Sequence, residues 1–398
     1  MKVLFLAPDI NIGFNMNGGA GTHMRASVSQ LKKRGFDVVV AVGGDLLNKK
    51  AHYKNHTNKS NYWRRLLKSL VPSELKKFFR DFKIIGHNKM VLDKVLEIIK
   101  KNDFDVIYER SGYGYDVGKI LSERFNLPHI LETDVIMLDL IRKDTSFIFN
   151  KYLYRSLEHK KYHTADTIVV QSEYSIDYCK KYWGIEHNKV YNKDLGVFPL
   201  NEKKEVKDIG ELYGIKNKFV IGYVGYFMPY QNIHLLLEAA KEMSNNQDVV
   251  FLLVGGGKQL DLFKKFAADN MLQNIIFTGI VDKNDVLSYY NAIDLAVIPD
   301  CAHHMYPVKY LEYAQNNLPI VIPRYNVFKE FFENESSFKQ MSFRPKDSSS
   351  LLKTMTKILN EKSNLVEYSN FTSEYVKENK TWDKSGERLE RILNITLK

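Results

Sequence analysis

Residues 295–322 read LAVIPDCAHHMYPVKYLEYAQNNLPIVI. The apolar run Leu295 to Ile298 predicts a strand, and Ile320 to Ile322 predict a second one. Between them, Pro307 suits the first position of a helix, because its missing N–H is not needed there. A strand, a helix and a second strand in this order predict a β-α-β unit with two parallel strands.

The same alternation of strands and helices runs through the rest of the chain. In the N-terminal half, Val3 to Ala7 and Val38 to Val42 flank a glycine-rich turn and a helical pattern from about Thr22 to Lys33. Further strands are predicted at 106–108, 130–131, 168–170, 219–224, 249–254 and 275–277. This pattern indicates an α/β fold with parallel sheets, whose ligands bind at the carboxyl ends of the strands.

The length of the chain indicates more than one domain. A single hydrophobic core rarely organises as many as 398 residues. The polar stretch 201–205 predicts a linker. We therefore expect Rossmann-like domains at 1–198 and 199–378, followed by an amphipathic helix within 379–398 that packs back on the first domain.

The cysteines and the apolar runs bear on the compartment. Cys179 and Cys301 are the only cysteines and lie far apart, which excludes a disulfide framework and fits a reducing environment. The apolar run Val3 to Pro8 is too short for a signal peptide, and no run approaches the length of a membrane span. We expect a cytoplasmic protein.

Positive charge is concentrated in one region. The formal charge is +11, and residues 49–89 hold twelve Lys or Arg against Glu74 and Asp81, with aromatic residues interleaved. Such a stretch suits an anionic membrane surface, and the alternative is a solvated helix that covers its own domain. No nucleic-acid module accompanies the charge, so a nucleic-acid partner is not expected.

The helix predicted after Pro307 has the features of a phosphate site. Its first turn presents free N–H groups and a partial positive charge, and Lys309 adds a full charge. Glu312 lies three residues further on the same face, within reach of a more distal part of the same ligand. The alternative is an exposed ion pair on an ordinary helix.

This segment resembles the nucleotide-sugar signature of glycosyltransferase family 4. Leu311-Glu312-Tyr313-Ala314, followed by Leu318-Pro319-Ile320-Val321, matches the family pattern around its second Glu. The family's first Glu falls on His304, which is a departure, whereas Pro307-Val308-Lys309 matches the Pro-x-Lys of some branches.

Further motifs of that family recur along the chain. Its Val-Gly motif is matched at Tyr223 to Phe227 and Pro229 to Asn232, but Tyr226 and Gln231 replace the usual Arg and Lys. The other matches are at 253–257, 277–281, 108–110, 128–132 and 165–172. The resemblance implies donor contacts at Gly225, Tyr226, Gln231, Gly255, Gly257, Val281, Pro307, Val308, Lys309 and Glu312.

The N-terminal half offers a second group of candidates. The glycine turn lacks a third fingerprint glycine because Met24 stands there, so a dinucleotide site is disfavoured. In the resembled family this loop helps to bind the diphosphate or the acceptor, which makes Gly19 and Gly21 candidates; a plain tight turn is the alternative. His23 is either a site residue or a structural histidine.

Two acidic groups complete the candidates of this half. Glu132 and Asp134 follow a strand toward the expected site, where a carboxylate can orient an acceptor hydroxyl. The sequence Asp103-Phe104-Asp105 spells a metal-binding pattern, but its place just before an apolar strand favours a polar start to that strand.

The resemblance implies a GT-B fold, with two parallel sheets facing a central cleft. It implies retaining transfer of a sugar from a nucleotide donor, UDP-sugar favoured over GDP-sugar, without a required metal or cofactor. The acceptor would be a glycan or a lipid-linked glycan of a cell-surface polysaccharide, and the catalytic candidates are Lys309, His304, Glu132 and His23. The alternatives are a sugar-nucleotide epimerase of the same fold and a non-catalytic nucleotide- or glycan-binding relative.

Overall fold

The computed structural model describes residues 1–16, 18–47, 72–134, 151–199, 206–361 and 365–398. The predicted linker at 201–205, residues 49–71 of the basic stretch and Asn17 of the glycine turn lie outside the described residues. The chain divides into two compact units. Unit 1 comprises Met1–Leu195 and Trp382–Lys398, and unit 2 comprises Gly196–Thr381.

Unit 1 is built on a parallel sheet. Over the described ranges it has six strands in the order β2-β1-β3-β4-β5-β6. They are β1 (Lys2–Ala7), β2 (Asp37–Val42), β3 (Val106–Arg110), β4 (His129–Glu132), β5 (Thr167–Val170) and β6 (Val190–Asn192). The helices are α1 (Gly19–Lys33), α2 (Gly43–Leu46), α3 (Ser73–Ile99), α4 (Val117–Phe125), α5 (Lys151–Thr164) and α6 (Glu173–Trp183), with a 3₁₀ turn at His187–Lys189.

Both faces of this sheet are buried. Val3 and Phe5 of β1 pack into one hydrophobic cluster, while Leu4 and Leu6 pack into another on the opposite face. Successive side chains of a strand point to opposite faces, so a strand buried on both sides needs an uninterrupted apolar run. This explains why the sequence of β1 is apolar throughout.

The last helix of the chain belongs to unit 1. This helix, Trp382–Thr396, buries Leu389 and Leu393 in the cluster that also holds Leu31 of α1. At its start, Nη2 of Arg34 donates to the carbonyl oxygen of Asp383 at 2.8 Å. The helix therefore completes the cover on one face of the first sheet.

Unit 2 repeats the architecture. Among its described residues it has six parallel strands in the order β12-β11-β10-β7-β8-β9. They are β7 (Phe219–Val224), β8 (Val249–Val254), β9 (Ile275–Gly279), β10 (Leu295–Val297), β11 (Ile320–Pro323) and β12 (Ser342–Phe343). The helices are α7 (Ile209–Leu212), α8 (His234–Glu242), α9 (Leu260–Asp269), α10 (Val286–Asn291), α11 (Val308–Gln315), α12 (Glu335–Gln340), α13 (Ser348–Asn360) and α14 (Leu365–Asn379), with 3₁₀ turns at Pro229–Gln231 and Asn326–Phe331; the helix Trp382–Thr396 is α15.

The strand order fixes where each sheet opens at its carboxyl edge. The chain runs from β1 outward to β2 on one side and to β3 on the other, so unit 1 has its topological switch point between β1 and β3. In unit 2 the switch point lies between β7 and β10. Ligands of open parallel sheets bind at such points. The predicted α/β fold with two parallel sheets is confirmed.

No helix within the described part of the chain is long and apolar enough to cross a membrane.

Candidate functional site

The carboxyl edge of the sheet in unit 2 is made of closely packed glycine turns. Gly225, Gly255 and Gly257 have φ angles of 152°, 128° and 153°, which side chains with a Cβ rarely adopt. A Cβ on Gly255 would lie 2.0 Å from the carbonyl oxygen of Gly225. The turns after β7 and β8 therefore pack backbone to backbone. Because these glycines have no side chains, a ligand can approach the main chain closely.

Lys309 spans the switch point of this sheet. It lies in the first turn of α11, which follows β10, yet its Nζ lies 4.2 Å from the ring centroid of Tyr223 in β7. A Cβ built on Gly225 would lie 3.1 Å from the same Nζ. The ammonium group thus sits at the end of β7, beside the glycine turns.

Two neutral side chains hold the Lys309 amine. Nζ donates to the hydroxyl of Tyr223. With the Gln231 amide oriented so that both of its groups are satisfied, its oxygen accepts from Nζ at 2.9 Å and its nitrogen faces the Tyr223 hydroxyl. A lysine ammonium has three N–H donors, so one remains to contact a ligand.

The charge of Lys309 is held in a dehydrated setting. Burial lowers its pKa to about 7, opposed by the neighbouring Glu312 carboxylate and the Cys301 thiol. An anion that binds beside such a lysine stabilises the charged form of its amine. The position therefore favours a negatively charged ligand.

The start of α11 adds partial positive charge at the same place. Pro307 is the N-cap residue, no side chain caps the helix, and its first turn has no acidic residue. The N–H groups of Val308 and Lys309 belong to the first turn, where helical N–H groups have no partner within the helix. Together with the helix dipole they favour a phosphate.

The remaining predicted donor contacts lie around this edge. Glu312 is exposed and its Oε2 accepts from the Tyr290 hydroxyl at 3.2 Å. Tyr226 and Val281 are half-buried in the loops that follow β7 and β9. His304, in the loop before α11, is buried and its ring lies edge-on to the His303 ring at 4.9 Å. This burial favours a packing role for His304.

The carboxyl edge in unit 1 holds a buried carboxylate among cations. Oε1 of Glu132, at the end of β4, lies 3.1 Å from Nζ of Lys193, 3.2 Å from Nη1 of Arg110 and 2.9 Å from Nε2 of His23. The hydroxyl of Tyr108 donates to its other oxygen at 2.6 Å. These neighbours hold the pKa of Glu132 well below its usual range, although burial acts in the opposite direction.

His23 is neutral within this cluster. Burial, with smaller effects of Lys193 and Arg110, lowers its pKa to about 4 despite the Glu132 carboxylate. Nη1 of Arg110 lies 2.6 Å from Nδ1, and an arginine can only donate, so the ring proton belongs on Nε2, which faces Glu132. The indole ring of Trp382 lies 5.4 Å from the imidazole.

Asp134 forms the solvent-facing rim of the cluster. Nη2 of Arg110 lies 2.9 Å from its Oδ2, and the amide of Gln171 donates to Oδ1. Its side chain is 36% exposed, whereas that of Glu132 is 1% exposed. Of the two predicted carboxylates, Asp134 is therefore the more accessible to solvent, and Arg110 contacts both of them.

The glycine turn of unit 1 lies at the switch point between β1 and β3. A Cβ on Gly21 would lie 2.2 Å from the carbonyl oxygen of Met16, so this position requires glycine. Gly19 begins α1, and no side chain caps that helix. Nη1 of Arg25 donates to the carbonyl oxygens of Phe14 and Met16 at 2.8 and 3.0 Å, which fixes the loop before the turn.

The structure thus brings the predicted residues into two groups and adds members that the sequence reasoning missed. Lys309 lies with Gly225 and Gln231, and His23 lies with Glu132. The missed members are Tyr223, Arg110 and Lys193. Arg110 lies two residues after a predicted strand and within the family match at 108–110, which was a usable signal. Lys193 has no such signal in the sequence. Asp105 of the Asp-x-Asp pattern accepts from the N–H of Lys2 at 2.6 Å, as a polar strand start would.

Each of the two units matches a known protein family. Residues 17–191 match the model of Glycosyltransferase Family 4, and residues 207–380 match that of Glycosyl transferases group 1. The uncharacterized glycosyltransferase MJ1069 of Methanocaldococcus jannaschii is 23% identical, over 50% of this chain and 52% of its own length. TuaH of Bacillus subtilis, provisionally named a glycosyltransferase of teichuronic acid biosynthesis, is 27% identical over 44% of each chain. The chain thus spans about half the length of these relatives.

Solved structures share the fold over almost the whole chain. HepE of Anabaena, solved with UDP, has a TM-score of 0.71 at 16% identity and covers 99% of this chain and 100% of its own. Sucrose-phosphate synthase of Thermosynechococcus elongatus has a TM-score of 0.76 at 15% identity and covers 99% of each chain. Together, the two family matches and these folds show that the chain belongs to the GT-B glycosyltransferases of the family 4 type.

Proposed function

We propose that this chain transfers a sugar from a nucleotide diphosphate sugar, with retention of configuration, to a hydroxyl of a glycan or lipid-linked acceptor. The observation that carries the proposal is the position of Lys309. Its amine lies at the switch point of the second sheet, beside the glycine turns and the uncapped start of α11. A cation, free N–H groups and close backbone access together suit a diphosphate.

The chemistry follows from the charge that develops during transfer. The bond between the anomeric carbon and the β-phosphate oxygen breaks, and negative charge grows on the departing diphosphate. Lys309 and the N–H groups of α11 would stabilise this charge, which lowers the barrier. The acceptor oxygen bonds to the anomeric carbon on the same face, and its proton passes to the departing phosphate oxygen, so no separate protein base is needed.

The nucleotide and the acceptor are finer parts of the proposal. A UDP-sugar is favoured because the similar HepE structures were solved with UDP and with UDP-glucose. Glu312 would bind the ribose hydroxyls, since its exposed carboxylate lies one helical turn beyond Lys309. The likeness to TuaH supports an acceptor in cell-surface polysaccharide synthesis.

We propose further that transfer needs no resident metal, because Lys309 and the N–H groups at the start of α11 would stabilise the charge of the diphosphate. Equal initial rates with EDTA and with added Mg²⁺ or Mn²⁺ would support this part. A rate that EDTA abolishes and Mg²⁺ restores would overturn it and leave the transferase proposal intact.

The donor site can be tested by thermal shift with UDP, GDP, ADP, CMP and NAD. A nucleotide at about 100 times its dissociation constant should stabilise the protein by about 2.7 kcal/mol. Lys309→Met keeps the aliphatic stem and removes the charge, so it should abolish the shift. Lys353→Met, an exposed lysine of α13, is the matched control and should keep it.

The outcomes separate the candidate functions. A UDP shift that Lys309→Met removes, together with sugar transfer to an acceptor, supports the proposal. Conversion of the donor to an isomeric nucleotide sugar without an acceptor would indicate an epimerase. Nucleotide binding without turnover would indicate a binding relative, and the absence of any nucleotide shift would reject the donor site.

A further inference from the structure

Lys380 is a buried cation of unit 2 that the proposed reaction does not use. It follows α14 directly, and its N–H donates to the carbonyl oxygen of Val376 at 2.9 Å. Its side chain is 4% exposed, and its Nζ lies 2.7 Å from Oε2 of Glu330. The carboxylate compensates part of the cost of burying the ammonium group.

Three aromatic rings enclose the same ammonium group. Nζ of Lys380 lies 5.4 Å from the ring centroid of Tyr306, 5.7 Å from that of Phe331 and 5.8 Å from that of Tyr375. The hydroxyl of Tyr375 also donates to Oε2 of Glu330 at 3.0 Å. A cation within about 6 Å of a ring centroid is attracted by the face of the ring. Glu330 and these three rings form what is here named the Lys380 cage.

The Lys380 cage supports the start of α11. The ring of Phe331 lies 5.0 Å from that of Tyr306 and 4.5 Å from that of Tyr310, and both tyrosines are fully buried. Tyr306 precedes the N-cap residue Pro307, and Tyr310 follows Lys309 directly. One ring of the cage therefore holds the chain on both sides of Lys309, and the cage determines where the first turn of the helix lies.

The main chain of Lys380 holds a second segment. The chain enters unit 2 at Gly196 and leaves it after Thr381. The N–H of Val197 donates to the carbonyl oxygen of Lys380 at 2.9 Å, and Val197 and Thr381 form a parallel β-bridge. The entry segment, residues 196–198, is thus bonded to the residue whose side chain occupies the cage.

The far end of α11 contacts the entry segment as well. Gln315 is the last residue of the helix and is buried, and its Nε2 donates to the carbonyl oxygen of Phe198 at 2.5 Å. Energetic coupling passes through packed side chains and rigid secondary elements. The start of α11 is therefore connected to the entry segment by two routes, one through the Lys380 cage and one along the helix to Gln315.

We propose that Lys380 is a positioning residue that couples the donor site to the entry segment. Its side chain fixes the start of α11 through the cage, and its carbonyl oxygen fixes Val197. Coupling between two sites is reciprocal, so a nucleoside diphosphate that orders the start of α11 also stabilises the hydrogen bond of Val197. The inference rests on the proposed function for the ligand at Lys309, and it adds the contacts through which that ligand acts on unit 2.

The test combines the dissociation constant of UDP with hydrogen exchange at the amide of Val197. In the wild type, saturating UDP should slow the exchange of this amide at least about fivefold. Lys380→Met keeps an aliphatic side chain among the rings and removes the charge. It should raise the dissociation constant of UDP at least about fivefold, and at saturating UDP it should abolish the slowing at Val197.

Three further variants separate positioning from a loss of stability. Glu330→Gln leaves Lys380 in place without its carboxylate and should weaken both effects, which keeps the test decisive if Lys380→Met does not fold. Met355→Ala removes a fully buried side chain of α13 outside the cage. It should lower the melting temperature but keep the UDP affinity and the slowing of exchange. Lys357→Met breaks an exposed ion pair of the same helix and should behave like the wild type.

The outcomes distinguish this inference from the proposed function. Wild-type affinity and unchanged slowing in Lys380→Met would overturn the inference and assign the coupling to Gln315. Equal losses in Met355→Ala would also overturn it, because Lys380 would then act only through stability. UDP that binds at Lys309 without slowing exchange at Val197 would reject the inference alone, whereas a wild type that binds no nucleotide would reject the donor site and the inference together.

Discussion

The carboxyl edges of the two sheets use charge in opposite ways. In unit 1 the carboxylate of Glu132 is buried, and Lys193, Arg110 and His23 surround it. In unit 2 the amine of Lys309 contacts a phenol and an amide in place of a carboxylate. In unit 1 the charge of Glu132 is balanced by neighbouring side chains of the protein. In unit 2 the amine of Lys309 contacts neutral groups, so its charge can interact with a ligand.

The charged groups of the two edges affect stability in opposite directions. When one partner of a buried ion pair is removed, the other charge stays buried without a partner, and the protein loses several kcal/mol of stability. A dehydrated lysine whose hydrogen bonds, among the described residues, go to neutral groups costs stability, and an anionic ligand recovers that cost when it binds. The two edges therefore predict substitutions with opposite consequences.

The largest effect is expected for Glu132→Gln. The substitution leaves the buried Lys193 and Arg110 without their carboxylate, so the free energy of unfolding should fall by about 3–5 kcal/mol. Urea unfolding followed by circular dichroism measures this change. Glu123→Gln is the control, because Glu123 forms an exposed ion pair with Lys119 and should change stability by less than about 1 kcal/mol. A similarly small change for Glu132→Gln would mean that the Glu132 carboxylate does not stabilise the buried Lys193 and Arg110.

The next effect concerns pH and His23. The pKa of the histidine is about 4 in the folded protein, below its value in the unfolded chain, so the unfolded state binds the proton first as pH falls. This imidazole should thus lower stability progressively from pH 6.5 to pH 4, by about 3 kcal/mol in total. In His23→Gln that part of the pH dependence should disappear.

The control for this titration is His187→Gln, which removes an exposed histidine. Its stability profile between pH 6.5 and pH 4 should follow that of the wild type. If His23→Gln also follows the wild type, the imidazole is not held neutral by burial.

The two edges also differ in how far the sequence predicts them. Strands β7 and β8 are found at their predicted limits, because uninterrupted apolar runs of strand length determine them. Helix α1 begins at Gly19, three residues before the predicted start, since glycines carry no helical signal although their backbone adopts the first turn. Pro307 is the N-cap of α11 and not its first helical residue.

Lys309 could be predicted as a site residue because its signal is local. A cation in the first turn of a helix after a strand identifies a phosphate site within a few residues of sequence. Its partner Tyr223 lies 86 positions earlier, and Lys193 lies 166 positions from the hydroxyl of Ser27 to which it donates. Contacts of this kind depend on how the strands are ordered in the sheet, which a single sequence does not specify.

A smaller effect is expected on donor affinity as pH rises. Free Lys309 has a pKa of about 7 and the diphosphate prefers its charged form, so binding above pH 7 requires proton uptake. The dissociation constant of UDP should rise about 15-fold from pH 7 to pH 8.5, where the terminal phosphate, with a pKa near 6, is already ionised. Isothermal titration calorimetry in buffers of different ionisation enthalpy measures both the affinity and the proton uptake.

Gln231→Glu sharpens this test. A carboxylate beside Lys309 would keep the amine charged across this pH range and would also repel the diphosphate. The variant should therefore bind UDP more weakly than the wild type, with little dependence on pH. A pH dependence that persists in Lys309→Met would assign the proton to another group.

The smallest effect is expected for Tyr223→Phe, which removes one hydrogen bond to Lys309 and keeps the ring beneath its amine. A single hydrogen bond of this kind contributes about 0.5–1.5 kcal/mol, so UDP affinity at pH 7 should fall about two- to tenfold. Loss of the hydroxyl as an acceptor disfavours the charged amine, and the pH at which affinity begins to decline should move below 7. Tyr313→Phe is the matched control, because that hydroxyl contacts the backbone of Val224. A fall in affinity without a shift of the pH midpoint would reduce Tyr223 to a packing residue, whereas a shifted midpoint assigns it to the placement of the charge.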